Sequence, residues 1–203
     1  MNRGLLAPFP FALFLLLAAV ALPAQADEDI SPFFGTYVGS GNAENIARGD
    51  VEVRDLDVTI TAHKDDGFVL KWIRVVRGED GARTGEDVKR REVEETFIPA
   101  KDRPNVFIPA PNGGLFQKAE TPNPLDGEAA RWAAIEGNAM TVYSLAISEG
   151  GGAELQVYRR ALTEKGMDIS YLRLHDEDDV LRMKGTLVRT QQRAARTPET
   201  TSC

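Results

Sequence analysis

Trp132-Ala133-Ala134-Ile135-Glu136-Gly137-Asn138-Ala139-Met140-Thr141-Val142-Tyr143-Ser144-Leu145-Ala146-Ile147 opens the stretch that decides the fold, and that stretch runs on to Arg189. Glu154 to Tyr158, Asp168 to Leu174 and Val180 to Val188 follow, each rich in the β-branched, aromatic and leucine side chains that suit strands. Four turn signals separate the runs. Gly137-Asn138 is a two-residue hairpin turn; Glu149 to Gly152, Thr163 to Gly166 and His175 to Asp178 mark the other three reversals. Five runs spaced by about 12 residues predict an antiparallel meander of the kind that builds sandwiches and barrels. Ala129 to Ile135 could form two helical turns by propensity, but the Gly-Asn that follows favours a strand entering a hairpin.

Upstream, the same alternation continues. Leu56, Val58, Ile60 and Ala62 share one face of a run, while Asp55, Asp57, Thr59 and Thr61 share the other. Lys64-Asp65-Asp66-Gly67 turns the chain into a run placing Phe68, Leu70, Trp72, Arg74 and Val76 together. A strand with a charged start follows at Lys89 to Ile98, and Phe34 to Gly41 is a glycine-punctuated first strand. Gly41 to Asp50 reads as a turn-rich connection. Pro99 to Pro124 carries six of the eleven prolines, which cannot donate to a sheet ladder. Within it Val106-Phe107-Ile108 and Leu115-Phe116 flank a turn and form a short hairpin. The expectation is an all-β, antiparallel up-and-down barrel of about ten strands, closed because closure removes sheet edges.

The N-terminus reads as a sorting signal. Arg3 precedes an apolar core from Phe11 to Leu22, and Ala24-Gln25-Ala26 supplies a small-x-small cleavage pattern. That core is too short to span a bilayer, and no later run reaches the roughly 20 apolar residues of a membrane helix. Three segments are expected: a signal peptide over 1–26, a single barrel domain over 27–190 and a disordered tail over 191–203. The protein is then exported to the periplasm or secreted. Loss of the signal would take the net charge from −7 to −8. Such an acidic chain is a poor partner for nucleic acid. The single cysteine, Cys203, ends a polar tail and forms no intramolecular disulfide.

Together these features resemble the lipocalin and wider calycin superfamily. Gly35-Thr36-Tyr37-Val38-Gly39 is similar to the glycine-x-tryptophan first strand of those barrels, and the late strand Thr186-Leu187-Val188-Arg189 supplies a basic residue. The resemblance implies that Arg189 packs across the first-strand aromatic and closes the barrel base. Tyr37 stands where the family has tryptophan, the family's second motif is missing, and the proline-rich excursion has no counterpart.

Small barrels can hold one apolar ligand among inward-facing side chains. Phe68, Trp72, Trp132, Tyr143, Tyr158 and Tyr171 are the rings that line such a pocket or, equally, fill a core. His63 and His175 each precede an acidic turn. An even strand count puts them at opposite ends of the barrel, and an odd count would let them share one. Lys89-Arg90-Arg91 is followed by Glu92, Glu94 and Glu95, so it reads as a charge-balanced solvated face. No nucleophile elbow, metal-spaced cysteines, His-Glu-x-x-His or phosphate loop is present, so neither catalytic nor metal-binding residues nor a cofactor is assigned. The expected function is non-enzymatic binding of a small apolar or amphipathic ligand. The alternative is a structural or interaction barrel with a filled core, using Phe107 and Phe116 as contact surface.

Overall fold

The computed structural model describes residues 28–64, 66–78, 81, 88–111, 123–148 and 150–190. Ten strands follow in order: β1 Gly35–Asn45, β2 Asp50–Ala62, β3 Phe68–Val76, β4 Lys89–Pro99, β5 Val106–Pro109, β6 Ala130–Glu136, β7 Ala139–Ile147, β8 Ala153–Leu162, β9 Gly166–His175 and β10 Asp178–Thr190. Each pairs antiparallel with its neighbours in sequence, and β1 pairs with β10, so the sheet closes into an up-and-down barrel. This is the all-β, antiparallel up-and-down barrel of about ten strands expected from the meander. The proposed signal segment and tail lie outside the described residues, as do Leu115 and Phe116.

Strand pairing corrects two local readings. β1 does not stop at Gly41; its ladder with β2 runs to Asn45↔Asp50, leaving a short turn. Gly41 sits inside the strand because β10 presses against it: a Cβ there would lie 2.7 Å from the Lys184 carbonyl oxygen, and Gly185 faces it across the ladder. The excursion after Pro99 is also less separate than its composition implies. Phe107 in β5 is only 6% exposed and packs edge-on to Phe68, with centroids 5.2 Å apart. It offers no outward contact surface.

Alternation along each strand sorts residues between interior and exterior. At one end the interior is solid. Tyr37, Ile60, Phe68, Leu70, Phe97, Ile135, Met140, Met167 and Leu187 are buried there, with Phe68 stacked on Phe97 at 5.1 Å. A short 3₁₀ turn, Ser31–Phe33, folds under this end and inserts Phe33.

Register places Tyr37 opposite Arg189. The guanidinium lies over the ring, 5.1 Å from its centroid, and its Nε donates to the Tyr37 hydroxyl at 3.1 Å. That hydroxyl donates onward to the Phe33 carbonyl at 2.9 Å, and Arg189 also reaches the Pro32 and Phe34 carbonyls. One arginine thus ties the last strand to the first strand and to the plug, as the resemblance implies for the barrel base. Tyr37→Phe should cost about 1–3 kcal/mol, read as a lower urea midpoint at unchanged m-value. An unshifted midpoint would mean that apolar packing alone closes the base.

Candidate functional site

The apolar floor fills only one half of the barrel. Toward the end carrying the Ile46–Gly49 and Asp176–Glu177 turns lies a cavity of about 130 Å³. Its walls combine Leu56, Val58, Val93, Val142, Ile169 and Met183 with the rings of Trp72, Tyr158 and Tyr171. β3 and β8 stand five strands apart in either direction around the barrel, so they face each other across it. Trp72 on β3 nevertheless reaches Tyr158 on β8, with centroids 6.1 Å apart. Tyr158 in turn lies 4.5 Å from Tyr171 on β9.

Six rings were singled out from the sequence, and the structure divides them. Trp72, Tyr158 and Tyr171 line the cavity. Phe68 belongs to the solid floor. Trp132 and Tyr143 stack on each other, 5.0 Å apart and within 12° of parallel, as a cross-strand pair. Their neighbours Ala133 and Val142 point inward, so this pair occupies the outer face of the wall. The two histidines fall at opposite ends, as an even strand count requires: His63 follows β2 beside the floor, and His175 ends β9. Neither lines the cavity. Among the described residues no cluster of metal-ligating side chains forms.

Sequence reading missed the arginines. Arg54, Arg74, Arg91, Arg131 and Arg160 all line the cavity beside a single carboxylate, Glu95. Glu52 pairs with Arg54, through a 2.6 Å bond from Nε, and Glu95 pairs with Arg131. Lys89-Arg90-Arg91 is therefore not one solvated face. Alternation points Arg91 and Glu95 inward, while Glu92 and Glu94 face out toward Lys71, with Lys71–Glu92 at 2.6 Å. The signal was available in the period: Arg74 shares a face with Leu70 and Trp72, Arg54 with Leu56 and Val58, and Arg160 with Tyr158.

Arg160 is the extreme case. It is 5% exposed, its Nε and Nη1 have no hydrogen-bond partner, and its guanidinium sits 5.8 Å from the Trp72 ring centroid. Burial lowers its pKa to about 10, which leaves it charged at neutral pH. Arg74 shows the same tendency. Burial and then the nearby charges of Arg54 and Arg91 lower its pKa, and its Nε is buried without a partner. Around them a polar chain is fully satisfied: Arg173 donates to Glu154, Gln156 donates to Glu154 at 2.6 Å, and Tyr158 donates to Gln156 at 2.7 Å. Burial, followed by the charge of Tyr158, holds the Tyr171 phenol well above its ordinary range, so that ring is neutral.

Comparison with protein-family models and with curated protein sequences yields no match. Among solved structures the chain is similar to the S-type phycobiliprotein lyase of Guillardia theta, at 11% identity and a TM-score of 0.36 over 81% of this chain and 94% of that one. Nothing about ligand or chemistry follows from that likeness.

A buried charge without a counter-ion is costly, and an apolar replacement of similar length removes that cost. Arg160→Met should therefore stabilise the free protein by about 1–3 kcal/mol, measured as a raised urea midpoint. A lowered midpoint would show that the guanidinium contributes packing the apolar chain cannot supply.

Proposed function

We propose that this chain is an exported, non-enzymatic binding barrel that holds a small amphipathic molecule in its interior. The observation that carries the reading is the unfilled cavity above a well-packed floor. Protein interiors are close-packed, and a void on this scale is retained at a cost in stability. A dry cavity of roughly 150 Å³ takes one benzene, so a space of about 130 Å³ suits a single aromatic ring or a short aliphatic group. Trp72, Tyr158 and Tyr171 give it faces for such a ring. A filled structural barrel has no use for that space.

The three methionines of the described chain provide a local test. Met183 lines the cavity, whereas Met140 and Met167 lie in the floor. With methionine methyls labelled with carbon-13, titration with 2-phenylethanol or phenylacetate should shift the Met183 signal saturably and the other two less. Trp72→Ala should abolish the shift and Trp132→Ala should preserve it. A Met183 signal that moves with neither compound would defeat the reading.

The leader supports placement outside the cytoplasm, with its basic start, apolar Phe11 to Leu22 core and Ala24-Gln25-Ala26. Fused to an alkaline phosphatase lacking its own signal, residues 1–30 should give an active enzyme in the periplasm. Retention of the fusion in the cytoplasm would overturn export.

A further inference from the structure

We propose that the ligand is a small organic carboxylate whose anionic group is held between Arg160 and Arg74, with its apolar body against Trp72. This rests on the binding-barrel reading and adds the charge and polarity of what is bound.

Three observations converge on it. First, the cavity holds an excess of positive charge inside an acidic protein. Glu52 and Glu95 are committed to Arg54 and Arg131, while Arg74, Arg91 and Arg160 make no ion pair with any described residue. Second, the unpaired groups face one space: Arg160 projects from β8 and Arg74 from β3, facing strands, and both line the same cavity. Third, the nitrogens left without acceptors belong to these two residues: Nε of Arg74, and Nε and Nη1 of Arg160.

A guanidinium is planar and presents its donors as a fork, which matches the two oxygens of a carboxylate. The Tyr171 hydroxyl supplies no counter-charge, because burial holds the phenol neutral. Glu95, the one lining carboxylate, meets Arg131 through Oε1; its Oε2 is buried without a partner, and it accepts from neither Nε of Arg74 nor Nε or Nη1 of Arg160. No acidic side chain among the described residues accepts from these nitrogens, and a carboxylate guest would. Trp72 supplies the other half of recognition: Arg160 lies over its ring, so an aromatic body inserted beside Trp72 brings its own carboxylate to the guanidinium.

Phenylacetate and 2-phenylethanol are close in shape and differ in charge at pH 7. Read from the Met183 methyl, phenylacetate should bind at least about tenfold more tightly, the scale of one charge-assisted bidentate contact. Arg160→Met and Arg74→Gln should each remove most of that preference, read as the ratio of the two affinities. Lys184→Met deletes a positive charge from the exposed face of β10 and should leave the preference intact. Equal affinity of the wild-type protein for the two compounds would overturn the anion site while the barrel still binds. An equal loss of preference in Lys184→Met would overturn it too, since general charge would then explain the effect. A Met183 signal silent to both compounds removes this inference together with the binding reading.

Discussion

Closure of β1 on β10 is the constraint on which the rest of this structure depends. A ten-strand meander without it is an open sheet with two unpaired edges and an interior exposed along one seam. The seam is held by a ladder from Thr36↔Thr190 to Asn45↔Leu181, and at its base by Arg189 lying over Tyr37. The contact is economical because the Tyr37 hydroxyl serves two directions at once, accepting from Arg189 and donating to the Phe33 carbonyl. It therefore fixes the plug as well as the seam. Close approach along this seam also explains the glycines: Gly41 and Gly185 face each other where a side chain would strike the opposite backbone.

With the base fixed, the interior divides by length along the strands. On β3, β4 and β8 the inward face begins apolar near the plug and turns polar farther up: Phe68 and Leu70 before Trp72 and Arg74, Phe97 before Glu95 and Arg91, Leu162 before Arg160. The same gradient on several strands gives a barrel that is a core at one end and a chamber at the other. The floor supplies the stability that lets the chamber stay open. Phe68, stacked on Phe97 and edge-on to Phe107, does structural work and leaves recognition to rings farther up the same wall.

Most of the architecture was legible in the sequence because hairpin chemistry is local. Gly137-Asn138 and the glycine or acidic turns fix where the chain reverses, and reversals in sequence order leave a closed meander as the natural outcome. Which face points inward was harder, since register is a property of pairs of strands. In Trp132-Ala133-Ala134-Ile135 the largest side chain faces out and an alanine faces in, against what bulk alone would favour. β7 is apolar on both faces, so Tyr143 gave no contradiction. The arginines were passed over for a related reason. In a linear reading a charge is weighed against its sequence neighbours, as Arg91 was against Glu92, but a strand sends those neighbours to opposite sides of the wall. Period two applied to charges as strictly as to apolar residues would have put Arg54, Arg74 and Arg160 on inward faces.

Those arginines also separate two explanations of the cavity. A void left by imperfect packing would be lined by the truncated or mismatched apolar residues of a core, and its polar groups would be paired. Here the polar groups nearest the rim are paired in that way: Arg173 with Glu154, Gln156 with Glu154, and Tyr158 with Gln156. The deepest one is not. Arg160 is surrounded by Trp72, Tyr158 and the apolar wall, while Glu95 on β4 and Glu154 on β8 are both paired with other arginines. A carboxylate on the same barrel wall could have neutralised it, and the chain has 31 acidic residues from which to draw one. Leaving the innermost cation uncompensated costs stability in the free protein, and that cost is recovered only when an anion arrives. The placement of charge, more than the presence of a hole, is what distinguishes a binding chamber from a packing defect.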